Sequence, residues 1–283
     1  MLFVSGEQPA RFAKAVASNA DVVCIDLEDA VAPTAKRRAR DDALAFASGA
    51  WRPARDGASP RLGLRINGLR TRQGLEDVLA LAGEPRRFDY LVVPKVEHPE
   101  DLVMLHGWLP DVFGALVALI ESPLGIEQAW QIAAACRGGA PRLQALMLGG
   151  ADLSHELGAR FDWGGLLHAR GRLVNAARAA GLQAWDVPYL DIRDADGLRI
   201  ETRAVAGMGF DCKAAIHPSQ VDVIHAVFAP SEDEVRWAEG LLAVLAERQA
   251  AAQDVGAFLH QGKMVDSPVI DRARRIAASA AGR

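Results

Sequence analysis

The sequence predicts an α/β protein, a (β/α)8 TIM barrel with a C-terminal helical and lid extension. Eight short apolar runs alternate with helix-period segments over about 230 of the 283 residues, with no hairpin signal between them. Strands separated by helices imply right-handed crossovers and a parallel sheet. Polar residues also gather directly after the apolar runs, where a barrel keeps its chemistry. An open doubly wound sheet is the alternative, but the first turn, Ser5-Gly6-Glu7, lacks a glycine-rich phosphate fingerprint. Past Pro230 the alternation stops, which divides the chain into a barrel over 1–230 and an extension over 231–283.

In order, residues 2–4 form the first strand, Ser5-Gly6 the turn and 9–18 the first helix. The second strand, 22–26, runs into Leu27-Glu28-Asp29 and is followed by a helix over 36–46. A Pro-, Gly- and Arg-rich loop over 48–60 leads to the third strand, ending near Arg65-Ile66-Asn67, and to a helix over 73–81. Residues 90–95 read as the fourth strand, and Pro99-Glu100-Asp101 has the composition of a helix start. The fifth strand, 115–120, ends at Glu121 and precedes a helix over 126–136. The sixth, Leu-Gln-Ala-Leu-Met-Leu-Gly from Leu143, runs through Gly149-Gly150-Ala151 to Asp152, and 154–165 reads as a loop. A long amphipathic helix then ends at Ala180-Gly181, where the glycine suits a C-cap. Strand 184–190, helix 195–208, strand 212–217 and helix 221–227 complete the eight units. The extension reads as a helix over 232–248, a hairpin or extended segment over 256–266, and a final helix over 269–280.

Composition narrows the function. With 50% hydrophobic and 24% charged residues the chain is a globular protein with a substantial core, and its net charge of −4 argues against nucleic acid as main partner. Cys24, Cys136 and Cys212 lie far apart, without metal-ligand spacing, as core thiols in a reducing compartment do. No apolar run approaches a membrane span and no secretory signal is visible, so the expected location is cytoplasmic.

Six of the eight strand ends carry ionisable or amide groups: Glu28 and Asp29, Arg65 and Asn67, Lys95, Glu121, Asp152, and His217. Polar groups so close to a core cost free energy unless paired or bound to a ligand. Glu121 and Asp152 end successive buried strands, and parallel neighbours would aim both carboxylates at one point, as a hard divalent cation such as Mg2+ requires. Each acid has a plainer reading as the cap of the next helix. Glu28 and Asp29 suit outer contacts to metal-bound water, or capping before Pro33. Arg65 suits bidentate capture of a carboxylate or 2-oxo acid, or an interior salt bridge. Lys95 reads as an ion-pair partner of Glu28 or Glu121, and His217 as a structural residue. The residue types alone lead to a metal-dependent barrel handling a carboxylated substrate.

Several stretches carry a resemblance: Leu2-Phe-Val-Ser-Gly6 with Arg11-Phe-Ala-Lys14, Ile25-Asp-Leu-Glu28-Asp29-Ala-Val31, Leu64-Arg65-Ile-Asn67 and Val93-Pro-Lys95-Val-Glu97. Further on come Ile120-Glu121-Ser-Pro, Gly149-Gly-Ala-Asp152-Leu, Lys213-Ala-Ala-Ile-His217-Pro218 and Gly262-Lys-Met-Val-Asp266-Ser-Pro268. Together they resemble the citrate lyase beta-subunit-like branch of the metal-dependent HpcH/HpaI aldolase superfamily, in order along essentially the whole chain. The resemblance implies a Mg2+-dependent lyase that cleaves or forms a thioester such as citryl-, malyl- or citramalyl-CoA through an enolate. It places the metal on Glu121 and Asp152 and catalysis on Arg65, Glu28, Asp29 and Asp266. Substrate contacts fall to Arg65, Arg11, Lys14, Asn67, Gly150 and Ala151. The implied partners are an acyl-CoA or acyl-carrier thioester and a small 2-oxo acid (oxaloacetate, glyoxylate or pyruvate), in a homotrimer or hexamer whose lid brings Asp266 to a neighbour. Capping of the last helix is the plainer role for Asp266. Gln8-Pro9-Ala10-Arg11 departs from the family's Arg-Pro-Glu-Arg, and Cys212 stands where glycine is usual, so free CoA and a carrier-protein arm both remain open. The rival functions are a CoA-free 2-oxo-acid aldolase and a non-catalytic subunit binding an acyl carrier protein.

Overall fold

A computed structural model describes residues 1–50, 59–82, 88–251 and 256–281, so most of the predicted 48–60 loop lies outside the described residues. The chain divides into two compact units, Met1–Ile224 and His225–Arg283. In the first, eight strands form one sheet in sequential order, every neighbouring pair parallel. They are β1 (Leu2–Ser5), β2 (Val22–Asp26), β3 (Arg61–Arg65), β4 (Phe88–Val93), β5 (Phe113–Ile120), β6 (Leu143–Leu148), β7 (Gln183–Asp186) and β8 (Cys212–Lys213). Just past β8, Ala215 bridges Leu2 of β1 in parallel; it accepts the N–H of Phe3 at 2.9 Å and donates to Met1 O at 2.8 Å. The sheet is therefore curled, a TIM-barrel-like α/β fold. Its inward face holds alternate residues such as Cys24, Val92, Val117, Met147 and Trp185. Tyr90 of β4 meets Trp185 of β7 edge to face across it, ring centroids 5.4 Å apart.

The helices are α1 (Phe12–Val16), α2 (Lys36–Ala45), α3 (Arg72–Leu81), α4 (Pro99–Trp108), α5 (Pro123–Glu127), α6 (Ala129–Ala134), α7 (Gly150–Leu157), α8 (Trp163–Ala180), α9 (Ala195–Met208) and α10 (Val221–Phe228). On α8 the buried residues Leu166, Ala169, Arg170, Leu173, Ala176 and Ala177 recur at helical spacing, and the helix stops at Gly181 with φ 79°. Three expectations change. The helix expected over 126–136 is two short ones broken at Gln128. The seventh and eighth strands are shorter than expected, ending before Pro188 and at Lys213. Residues 150–157, taken as glycine-rich chain and loop, form α7: glycines obscure the helix in the sequence yet sit where its first turn meets packed neighbours.

The second unit comprises α11 (Glu232–Ala250), an antiparallel pair β9 (Phe258–His260) and β10 (Lys263–Val265), and α12 (Ser267–Ala281). Ser231 and Glu234 form a reciprocal capping box at the start of α11. The hairpin turns through Gln261 and Gly262, both left-handed at φ 50° and 76°, as a two-residue turn demands. Leu241, Leu245, Phe258, Val265 and Ile270 make its small core.

Between the sheet and helices α8 and α9 of the first unit lies a buried charge cluster. Arg170 donates to Asp186 at 2.8 Å, Lys213 donates to Asp186 at 2.8 Å and to Glu201 at 2.7 Å, and Asp186 and Lys213 face each other in register. Replacing Asp186 leaves two buried cations short of their shared acceptor. Asp186→Ala is expected to lower stability by about 3–5 kcal/mol, read from urea unfolding.

Candidate active site

The site begins with two facing residues. Asp26 ends β2 and Arg65 ends β3, and the sheet register sets them opposite each other. Arg65 holds Asp26 bidentately, Nε to Oδ1 at 2.7 Å and Nη2 to Oδ2 at 2.6 Å. Asp26 is 1% exposed and also accepts the N–H groups of Glu28 (2.8 Å) and Ala30 (3.3 Å). It thus orders the loop that carries Glu28 and Asp29. Lys36 fixes the same loop by donating to the carbonyls of Leu27 and Glu28 at 2.8 and 2.6 Å. Asp26 fills the Nε–Nη2 edge of the guanidinium, and Nη1 faces Glu28 and Asp29. Nη1 lies 3.1 Å from Glu28 Oε2, yet this buried oxygen receives no hydrogen bond.

The second half of the site is acidic. Glu121, 3% exposed, follows β5, and burial together with the charge of Glu28 pushes its carboxyl up to about 8. Glu28 is likewise raised by burial, partly offset by Arg65. Gly149 makes the space: a Cβ there would overlap Cβ and Oε2 of Glu121. Lys95 has φ 54°, left-handed for a residue with a Cβ, a conformation costing about 1–2 kcal/mol. That turn accompanies an N–H bond from Lys95 to Glu121 Oε1 at 2.8 Å. The Lys95 ammonium reaches Glu28 Oε1 at 2.7 Å and Asp152 Oδ2 at 3.1 Å, with Asp29 Oδ1 at 4.0 Å.

Ser122, not Glu121, caps α5, by accepting the N–H of Gly125 at 3.0 Å. Neither Glu28 nor Asp29 caps the turn at Pro33; the N–H of Ala32 goes to Glu7. Asp152 sits in the first turn of α7, and its side-chain partner is Lys95.

The remaining candidates spread out. Asn67 is buried and donates both its main-chain N–H and its amide to Asp77, at 2.8 and 2.7 Å. Asp77 in turn accepts from Arg40 at 2.6 Å, so Asn67 braces the loop after β3. Gly150 and Ala151 open α7 ahead of its first bond, Leu153 to Gly149, which leaves their N–H groups outside the helix's own ladder. Arg11 and Lys14 line a cleft of about 830 Å3, together with Phe3, Asp29, Arg65 and His217. A smaller cavity of about 220 Å3 adjoins Lys95, Glu121 and Ser122. His217 accepts the N–H of Ser219 and caps the turn at Pro218. In the second unit Asp266 is exposed and accepts the N–H of Val269 at 3.4 Å, which caps α12.

Asp26 is a site residue that the sequence analysis does not single out. The signal for it is a carboxylate closing an otherwise apolar strand, where every side chain is buried and a charge needs a partner. The central position of Lys95 depends on a backbone twist that no spacing rule reports.

Among the described residues no group of three or more His, Cys, Asp or Glu gathers in metal-holding geometry. Two carboxylates of hard oxygen donors fit Mg2+, which keeps most of its waters. The fit rests on three features: the glycine that clears Glu121, the hydrogen-bond-free Oε2 of Glu28, and a lysine ammonium already standing among the acids.

Known proteins share this arrangement of chain. The family model for HpcH/HpaI aldolase/citrate lyase matches residues 1–218. A (3S)-malyl-CoA thioesterase of Cereibacter sphaeroides is 36% identical over 99% of this chain and 93% of its own length. The citrate lyase subunit beta of Haemophilus influenzae is 34% identical over 98% of this chain and 94% of its own. The CitE protein of Mycobacterium tuberculosis, crystallised in complex with magnesium, acetoacetate and coenzyme A, aligns with a TM-score of 0.80 at 35% identity, covering 99% of this chain and 97% of that one. With the family model spanning most of the curled sheet and relatives matching nearly end to end, the chain belongs to the HpcH/HpaI aldolase/citrate lyase family.

Proposed function

We propose that the chain is a Mg2+-dependent carbon–carbon lyase acting on a 3-hydroxyacyl-CoA thioester of the citryl-, malyl- or citramalyl-CoA type, in the cleaving or forming direction. The observation that carries this reading is the pair Glu121 and Asp152 after neighbouring parallel strands, linked through Lys95 and Glu28 to Arg65. The magnesium, acetoacetate and coenzyme A of the CitE complex support it. We read the curled sheet as a closed (β/α)8 barrel forming the catalytic domain over 1–230, with 231–283 as a lid.

Glu121 and Asp152 would hold the ion, while Glu28 and Asp29 would orient its waters. Bound there, Mg2+ supplies Lewis acidity toward the oxygens of the 2-oxo-acid half. Arg65 would offer the carboxylate of that half the guanidinium hydrogens that Asp26 does not take, and Asp26 keeps the arginine in place. In cleavage a carboxylate base takes the proton of the substrate hydroxyl, the C–O bond becomes the carbonyl of the 2-oxo acid, the adjacent carbon–carbon bond breaks, and the electron pair of that bond becomes the thioester enolate. Asp266 of a neighbouring copy would protonate the enolate carbon, which gives a trimer or hexamer a purpose. Oxaloacetate, glyoxylate or pyruvate is the matching 2-oxo acid, and the cytoplasm the matching location. Among the described residues, no helix is long and apolar enough to cross a membrane.

The deciding assay incubates the purified protein with citryl-, malyl-, citramalyl- and hydroxymethylglutaryl-CoA, with Mg2+ and with chelator. Chelator-sensitive cleavage of one member is expected, reduced about 10³-fold or more in Asp152→Ala. Failure on every member, with oxaloacetate or glyoxylate still bound, would transfer the reading to a CoA-free aldolase or a carrier-binding subunit. Asp26→Asn is expected to lower kcat/KM about 10²-fold through misplacement of Arg65 while leaving Mg2+ affinity unchanged, as steady-state kinetics and calorimetry would show.

The proton on Glu121 competes with the metal, so Mg2+ affinity should rise with pH up to about 8 and level off above, with proton release visible by calorimetry in buffers of different ionisation enthalpy. The sign for stability is opposite. The folded state binds the extra proton, so the metal-free fold loses stability as pH rises from about 4.5 through about 8.

A further inference from the structure

The buried charges between the sheet and helices α8 and α9 reach beyond the group they form. Arg170, Asp186 and Lys213 are at most 1% exposed, and Glu201 completes them from α9, so two cations face two carboxylates. Lys213 finds an acceptor for each of its three ammonium hydrogens: Asp186 Oδ2 at 2.8 Å, Glu201 Oε1 at 2.7 Å and the carbonyl of Val187 at 2.9 Å. The two carboxylates balance its charge. The third acceptor is a main-chain oxygen just past β7, and it gives the lysine a grip on the chain that leaves the sheet.

Val187 is itself 1% exposed, and it packs against the start of α7. A Cβ on Gly150 would stand 2.9 Å from Val187, 2.8 Å from Leu166 and 2.7 Å from Phe161, nearer than packed carbons approach. Gly150 is therefore seated directly on these three side chains. Two of the three are tied to the charge group. Lys213 holds Val187 by its carbonyl, and Leu166 lies one helical turn before Arg170 on α8. Asp152 stands two residues beyond Gly150 in the first turn of α7, so the seat of Gly150 also aims that carboxylate. Ion pairs alone would fasten α8 and α9 to the sheet; the bond to Val187 serves the strand end.

We propose that Lys213 is a positioning residue for Asp152, acting through the carbonyl of Val187 and the seat that Val187 gives Gly150. It touches neither ion nor substrate. The proposal rests on the reading of Asp152 as a metal ligand and adds a support for it on the helix side of the sheet.

Substitution separates this role from stability. Lys213→Met combined with Glu201→Gln removes one charge of each sign, so Arg170 and Asp186 stay paired while the grip on Val187 is lost. Val187→Ala keeps all four charges and removes the side chain against Gly150. Val205→Ala, at a fully buried position of α9, loosens that helix and lies outside the three side chains that seat Gly150. Mg2+ alone would be titrated by calorimetry into the native protein, these variants and Asp152→Ala, with folding followed by circular dichroism and urea unfolding. The expected Mg2+ affinity is about tenfold weaker in the double variant and in Val187→Ala, unchanged in Val205→Ala and lost in Asp152→Ala. A merely structural role would lower stability in all three core variants and leave Mg2+ affinity alone. Should the double variant fail to fold, Val187→Ala decides by itself. Native affinity in a folded double variant or in Val187→Ala, or an equal loss in Val205→Ala, overturns the positioning role while the lyase reading stands. Mg2+ binding indifferent to Asp152→Ala overturns the metal reading and this proposal with it.

Discussion

Charge balance at the open end of a parallel sheet governs this molecule. Asp26, Glu28, Asp29, Glu121 and Asp152 converge there with Arg65 and Lys95 among them and Lys36 on the carbonyls of the same loop. Five carboxylates with three cations, several of them nearly buried, would be untenable if all were ionised and unpaired. The bidentate Asp26–Arg65 pair removes one excess charge of each sign and fixes the loop from which Glu28 and Asp29 extend. The remaining acids retain an excess of negative charge, and burial, joined at Glu121 by the charge of Glu28, displaces both Glu28 and Glu121 upward. A divalent cation resolves that excess, so the same imbalance that weakens the metal-free site drives loading.

The arrangement separates tasks along the strand order. In the proposed function the ends of β2 and β3 would hold a substrate carboxylate, and the residues after β5 and β6 the metal. The left-handed Lys95 after β4 joins the two halves through its N–H on one side and its ammonium on the other. Each piece sits on a rigid strand end, which limits the freedom of the groups on which geometry depends.

Much of this was legible in the sequence because strand ends are marked twice, by the end of an apolar run and by the polar residue after it. Glu121 and Asp152 stand out on that basis, and so does Arg65. Helix α7 was hidden since its first residue is glycine, whose weak propensity misleads unless the packing of Phe161, Leu166 and Val187 around Gly150 is known. The seventh and eighth strands read long because the chain past them is as apolar in sequence as a strand, although Leu190 and Ile216 are exposed. Asp26 escaped notice because the more conspicuous Glu28-Asp29 pair follows it, and only the register with Arg65 reveals its task. Asn67 shows the reverse: a polar residue at a strand end whose hydrogen bonds turn sideways into the scaffold, to Asp77.

Lys95 also bears on how tightly the site is bound to its own frame. Its ammonium stands between Glu28 and Asp152 as a counter-ion tethered to the chain, and its left-handed backbone presents an N–H to Glu121. One residue thereby ties together acids that follow three different strands, so a change at this position is felt by all three at once.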